Sequence, residues 1–274
     1  MSGFVTSDGV TLEYRVDDFR DPWRPDSGRI LLLHHGFIRS MATWQTWIPA
    51  LARSHRVVRF DVRGCGRSGD PGPDGDYGPA RLVDDVVELL DHLHIDRVDF
   101  VGHLSGALVG QLLAVAHPER IRSLTLVAGP SVVNTDIRTR YALGDDDSLA
   151  SMRRLGLGEW LRQTNAARFD PATDPEVVEW HLAEQARTPF HVAYRIHEAF
   201  RSIDVRDDLA RMAAPVLLIA ARGAPGAPLD EQEATRAAMP DARLVALDGR
   251  GSDLPLTQSE RCASEVLRFI ESLA

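Results

Sequence analysis

The sequence predicts an α/β protein: a doubly wound, mostly parallel sheet with an inserted helical cap. Three observations predict it. Six short apolar runs rich in Val, Ile and Leu recur along the 274 residues, and amphipathic helical stretches separate several of them. One long interval, 134–203, then holds helical patterns with no strand candidate between them.

Taken in order, a hairpin from about Phe4 to Val16 supplies antiparallel edge strands. RILLLHHG (29–36), HRVVRFD (55–61), RVDFVGH (97–103), SLTLVAG (123–129), PVLLIAA (215–221) and ARLVALDG (242–249) are unbroken apolar runs, the pattern of strands buried on both faces. PARLVDDVVELLDHL, GALVGQLLAVAHPER and LDEQEATRAAM provide helices between them. In the long interval, SLASMRRLGLGEWLRQ, DPEVVEWHLAEQAR and FHVAYRIHEAFRS read as three helices, the second opened by Asp174 with Pro175 in its first turn. The implied division is a first core segment, 1–133, a cap, 134–203, and a second core segment, 204–274. A lid over the carboxyl ends of such strands is where a ligand pocket forms. PGPDGDYGP (71–79) reads as a loop, and Asp145 to Asp147 as a solvated charge run.

Composition narrows the function classes. A formal net charge of -9 excludes the clustered positive surface that a nucleic acid or an anionic membrane requires. All 31 basic side chains are arginines, scattered rather than banked on one face. The polar start MSGFVTSDGVTLEY lacks the features of a secretion signal and no apolar run reaches membrane-spanning length, so a cytoplasmic protein is expected. Cys65 and Cys262 lie far apart without a paired spacing, which implies free thiols rather than a disulfide or a zinc site. No phosphate loop, nicotinamide fingerprint or metal-ligand spacing is present, and no cofactor is expected.

Four landmarks follow one another along the chain: LLLHHGF at 31–37, FDVRGCGRSG at 60–69, VGHLSGA at 101–107 and GRGSDLP at 249–255. With them the chain resembles the α/β-hydrolase fold superfamily, in its esterase and epoxide-hydrolase branch, over nearly its full length. That resemblance implies a nucleophile in G-x-S-x-G on a strained strand-to-helix turn. It also implies an acid after a strand such as PVLLIAA and a base in a late G-x-G-H turn. Here Gly102 and Gly106 keep the glycine slots, but Leu104 stands in the nucleophile position, Ala224 in that of the acid and Ser252 in that of the base. A leucine is no nucleophile, and triad chemistry depends on all three members. What such a chain can keep is the oxyanion hole, whose donors are the backbone N–H groups of Phe37 and Ser105.

On this reading the chain is a triad-less member, similar in kind to the peptide epimerase of bottromycin biosynthesis. The expected function is a cofactor-free isomerase, epimerase or cyclase in natural-product biosynthesis. It would polarise a carbonyl of a small-molecule or peptide-like substrate, with its general base unassigned. Two alternatives stand beside it: a hydrolase that has recruited Ser105 or Cys65 with a histidine such as His103 or His35, and a non-catalytic protein that binds a ligand in the old pocket. Candidate site residues are His34, His35 and His103 around the turn, Asp253 beside Ser252, Trp160 and Trp180 in the cap, and His191 and Tyr194, which with His197 recur every third residue along one helix. Each has a purely structural alternative. The histidines can pack around the turn, Asp253 can sit at a helix N-terminus, and the cap aromatics can anchor the lid. Cys65, in a turn that Asp61 and Arg63 would brace, has the same alternative. Oligomeric state is not written in any motif.

Overall fold

The computed structural model of the chain describes residues 2–23, 29–133, 139–224 and 227–273. Its eight strands are β1 (Ser2–Val5), β2 (Thr11–Asp17), β3 (Ile30–His34), β4 (Arg56–Phe60), β5 (Val98–His103), β6 (Ile121–Val127), β7 (Val216–Ala221) and β8 (Ala242–Leu247), in the sheet order β1-β2-β4-β3-β5-β6-β7-β8. β1 and β2 join antiparallel, and β3 through β8 pair in parallel, so the doubly wound, mostly parallel sheet is as the sequence predicts. The helices, in chain order, are α1 (Ile48–Leu51), α2 (Pro79–His92), α3 (Ser105–Ala116), α4 (Ser148–Leu155), α5 (Leu157–Thr164), α6 (Pro175–Ala186), α7 (Phe190–Phe200), α8 (Leu229–Ala238), α9 (Leu254–Thr257) and α10 (Ser259–Glu271).

Strand alternation distributes the apolar runs between two cores. Leu32, Val58, Phe100, Leu124 and Leu218 face one layer with the apolar faces of α2 and α3. Leu31, Leu33, Val57, Val101, Leu217 and Ile219 face the other with Trp44, Trp47 and the buried side of α10. Among the described residues, helices α4 to α7 lie between β6 and β7, where the sequence predicted three helices. The stretch read as one helix is divided at Gly156, whose φ of 74° no residue inside an α-helix adopts. Residues 134–138, with which the cap was expected to begin, lie outside the described residues. Val132 and Asp204 form an antiparallel bridge, so the chain leaves the sheet layer and returns to it at one place.

Other local expectations meet specific partners. Asp174 caps α6 by accepting from the N–H of Glu176 at 2.9 Å, with Pro175 at the first helical position. The charge run is not simply solvated. Asp145 pairs with Arg154, while Asp147 caps α4 and pairs with Arg201.

The β5–α3 junction is packed backbone against backbone. A Cβ on Gly102 would lie 2.5 Å from the carbonyl oxygen of Gly106, and one on Gly106 would lie 2.5 Å from the carbonyl oxygen of His34. Both obstacles are backbone atoms that cannot rotate aside. Gly106→Ala is therefore expected to destabilise the protein by about 1–3 kcal/mol or more. Urea denaturation reads the loss, and an unchanged midpoint would contradict the packing described.

Candidate active site

The turn after β5 carries Leu104 at φ 49°, ψ −114°, a conformation that L-residues rarely hold. Strain of that kind is of order 1–3 kcal/mol and persists only where the surroundings enforce it. Here the N–H of Leu104 donates to the carbonyl of Val127 at the end of β6, and its own carbonyl accepts from Ala107 and Leu108 in the first turn of α3. Leu104 is half-buried, and its side chain stands where the sheet and the α4–α7 helices face each other.

Two backbone donors beside this turn have no acceptor. Neither the N–H of Phe37, in the loop after β3, nor that of Ser105, the first residue of α3, donates a hydrogen bond among the described residues. Ser105 also has a hydroxyl without a hydrogen-bond partner, at the positive end of the α3 dipole.

The adjacent histidines differ in their availability. His35 is fully used: its Nδ1–H donates to the carbonyl of Gly36 at 2.8 Å and its Nε2 accepts from the N–H of Val62 at 3.0 Å. His34 donates from Nδ1 to the carbonyl of His35 at 2.9 Å, which leaves a bare lone pair on a buried Nε2 without a partner. His34 and Ser105 line one crevice of about 10 Å³, room for about one water molecule. Burial holds both imidazoles neutral, lowering the pKa of His34 to about 3 and that of His35 to about 4.

Above Leu104 and Ser105 lies a cavity of about 130 Å³. Its apolar wall comes from Phe37, Leu108, Pro130, Val133, Trp160 and Phe200, and its polar groups from Arg39, Tyr141, Arg168, Gln185, His197 and Arg201. A cavity of roughly 150 Å³ holds benzene, so the room that these residues enclose suits a small molecule and not a bulky peptide.

Behind the turn is a second, fully buried polar layer. Asp253 receives both terminal nitrogens of Arg39, the Nη2–Oδ2 contact at 2.9 Å, with both side chains out of solvent. Burial alone would raise the Asp253 pKa, and the Arg39 guanidinium more than offsets this and holds the carboxyl ionised. His103 donates from Nε2 to the carbonyl of Ser252 at 2.9 Å, leaving its Nδ1 unpaired, and Nδ1 of His181 lies 3.9 Å from Asp253. Burial lowers the pKa of His103 and of His181 to about 3, so both are neutral. The N–H of Asp253 donates to the carbonyl of Arg168 at 3.2 Å, and Gly251 lies so close to that carbonyl that it has no room for a side chain.

The structure brings some sequence candidates together and separates others. Phe37, Leu104, Ser105 and Trp160 line the cavity, and His35 reaches only the crevice beneath it. His103, Ser252 and Asp253 form the buried layer and do not line the cavity, and Asp253 serves Arg39 rather than a substrate or the backbone of α9. Ala224 is buried in the turn after β7. Trp180 is 39% exposed on α6. His191 pairs with Asp70 and Tyr194 lies under Arg153, whereas only His197 of that trio reaches the cavity. A spacing of three falls 60° short of a full turn at each step, so the three point apart over two turns. Cys65 is buried, with burial pushing its thiol pKa well up. Asp61 braces the turn by accepting from the N–H groups of Met41 and Arg67, while Arg63 pairs with Asp8 and Asp85. Arg39, Arg168, His181 and Gln185 were not singled out from the sequence, because no local motif marks them: Arg39 meets Asp253 across 214 positions and Gln185 meets Phe37 across 148, while Arg168 and His181 are placed by how the helices pack.

Comparison with known proteins identifies relatives. The model of the α/β hydrolase fold family matches residues 29–254. A protein of Pseudomonas savastanoi pv. phaseolicola, provisionally named carbamate hydrolase RutD, is 30% identical over 252 residues, covering 89% of this chain and 94% of its own. The 3-oxoadipate enol-lactonase 2 of Acinetobacter baylyi is 32% identical over 220 residues, covering 79% of this chain and 77% of its own. Among solved structures, a hydrolase of Pseudomonas aeruginosa superposes with a TM-score of 0.82 at 31% identity, covering 97% of each chain.

These relatives overturn the expectation of a non-hydrolytic isomerase, epimerase or cyclase in natural-product biosynthesis, since the activities in their names are hydrolyses. The names favour the alternative kept beside it, a hydrolase with another nucleophile than residue 104. The physical reason lies in the two amides. Donors that stabilise an oxyanion serve addition to a carbonyl as well as enolate formation, so they cannot select the second. Among the described residues no helix is long and apolar enough to cross a membrane.

Two predictions follow from the buried layer. Asp253→Ala leaves Arg39 charged and buried without its partner, and is expected to cost about 3–5 kcal/mol, whereas Arg39→Met combined with Asp253→Leu should recover most of that loss in urea denaturation. His34, His35, His103, His181 and His197 all have burial-depressed pKa values of about 3 to 4. Below about pH 6.5 the unfolded chain binds protons that the folded chain refuses until about pH 4, so this stability is present above pH 6.5 and lost as pH falls. Each histidine contributes up to about 1.4 kcal/mol per pH unit, and denaturation midpoints should fall steeply from pH 7 to pH 5. Equal midpoints would show that the imidazoles are not buried neutral.

Proposed function

The chain belongs to the α/β hydrolase fold family, and on that premise we propose that it hydrolyses a small acyl compound, an ester, lactone or carbamate, with Ser105 as nucleophile. The observation that carries this reading is the pair of acceptor-free N–H groups, of Phe37 and Ser105, on the floor of a cavity whose one aliphatic hydroxyl, among the described lining residues, is that of Ser105. Cys65 lines the crevice with His34 and Ser105 but does not reach the cavity, and burial holds its thiol protonated, so it is the weaker nucleophile.

The substrate carbonyl oxygen accepts from the two N–H groups, which stabilise the oxyanion that develops there. Use of the nucleophile's own N–H in the hole has a precedent in serine-protease chemistry. The Ser105 oxygen bonds to the carbonyl carbon while its proton passes across the crevice to Nε2 of His34, whose tautomer is fixed by the bond from Nδ1–H to the His35 carbonyl. The C–O or C–N bond to the leaving group then breaks and the leaving atom takes that proton. Water repeats the sequence on the acyl-serine, releasing the acid and restoring the hydroxyl. Leu104 and the apolar wall exclude bulk water from the oxyanion.

His34 is a weak base with no carboxylate behind it, so the enzyme is slow by family standards, about 10³–10⁴ over the uncatalysed rate. A fluorophosphonate probe should label Ser105 as mapped by peptide mass, and Ser105→Ala should abolish both labelling and turnover of p-nitrophenyl acetate. Labelling elsewhere, full activity in Ser105→Ala, or a bound ester returned intact would each overturn the assignment. The pKa of His34 predicts a rate that stays level from pH 8 down to the onset of unfolding. An acid limb centred near pH 6.5 would point to an exposed histidine instead.

A further inference from the structure

The cavity holds three guanidinium groups in different states. Arg39 is engaged by Asp253, and Arg201 donates to Asp147 at 2.8 Å. Arg168 has no carboxylate within 4 Å among the described residues, although it is buried, at 6% exposure for the residue. Its one hydrogen bond runs from Nη1 to the hydroxyl of Thr164 at 2.6 Å, so Nε and Nη2 donate to no protein acceptor. The rings of Tyr141 and Trp160 stand 5.1 and 5.3 Å from its guanidinium carbon. Aromatic faces attract a cation but supply no acceptor in the plane of the guanidinium fork.

An arginine in such a place is a standing electrostatic imbalance. Burial lowers its pKa from the ordinary arginine value, yet a guanidinium stays protonated in proteins, and a buried charge without a counter-ion is strongly unfavourable. Of the carboxylates, Asp253 is the one whose charge acts on it, and Arg39 already neutralises that carboxylate. With His103, His181 and His197 all neutral, the layer of Arg39, Asp253 and Arg168 carries one net positive charge. That charge borders a small, mostly apolar cavity that Tyr141, Gln185 and His197 also line, with the amides of Phe37 and Ser105 at its floor.

We propose that Arg168 is the specificity-determining residue of this site, and that the substrate is a small monoanion carrying a carboxylate at the end remote from the acyl group that is cleaved. The planar fork of Arg168 receives the carboxylate while the carbonyl rests on the Phe37 and Ser105 amides. The proposal deepens the hydrolase reading, since it names the substrate class of the same cavity. It adds a reason for the imbalance: the missing counter-ion arrives with the ligand. A carboxylate fits a fork in two parallel hydrogen bonds, and its charge matches the single positive charge of the layer.

The test is binding, measured by calorimetry on Ser105→Ala so that no turnover interferes, with monomethyl succinate as probe and dimethyl succinate as its neutral counterpart. The monoacid should bind at least tenfold more tightly than the diester. Arg168→Met, which removes an uncompensated buried charge, should lose that preference and melt at a higher temperature than its parent, whereas Arg168→Lys should keep part of the preference. Equal affinity for monoacid and diester, an undiminished preference in Arg168→Met, or inorganic phosphate binding as tightly as the monoacid would each overturn the proposal. Failure of the hydrolase reading would look different: the monoacid would bind as described, and the wild-type protein would return it unhydrolysed.

Discussion

The packing of the β5–α3 turn against the β3 loop is the constraint on which the site depends. Gly102 and Gly106 have no room for a Cβ, so three backbone segments meet at van der Waals distance. Leu104 is thereby forced to a positive φ, and the helix that follows begins with an N–H directed away from any protein acceptor. Nothing in this arrangement depends on the side chain at 104. The strained backbone geometry of the turn is therefore held with leucine at its centre.

Around the turn the protein keeps a polar layer that an apolar core would stabilise more cheaply. Arg39 and Asp253 neutralise one another out of solvent, and burial strips His34, His35, His103 and His181 of charge. Desolvation penalties of this kind are tolerated where position matters more than stability. Arg39 anchors the loop after β3, Asp253 anchors the loop after β8, and the carbonyl of Arg168 ties that second loop to the helices above the sheet. One buried ion pair and one backbone hydrogen bond thus connect the loops after β3 and β8 to the helices that line the cavity.

The relatives bear on chemistry in a way that the three substituted positions could not. Leu104, Ala224 and Ser252 occupy the positions at which the sequence reading looked for triad members, and a reading of absences does not specify a reaction. A hydrolase named for a carbamate or a lactone needs a carbonyl held by two donors and an oxygen nucleophile near it. Ser105, one residue beyond the turn, faces the cavity with a free hydroxyl and a free N–H. Its neighbour across the crevice is His34, the imidazole whose Nε2 the backbone leaves bare.

The sequence by itself determined the sheet, its edge hairpin, the order of the landmarks and the residue that stands at the strand-to-helix turn. Those features are local: strand period, cap residues and glycine spacing act over a few positions, and a single chain displays them directly. It also placed Phe37 and Ser105 beside the turn, because backbone donors follow from the fold and not from side-chain identity. Only the tertiary structure decided which side chains share the cavity. Arg39 meets Asp253 across 214 positions and His103 meets Ser252 across 149, separations at which no pattern signals a contact. The division of SLASMRRLGLGEWLRQ at Gly156, the dispersal of His191 and Tyr194 from His197, and the burial of Arg168 without a counter-ion depend on how four helices settle on the sheet. Packing and desolvation act among neighbours in space, and a linear sequence does not list them.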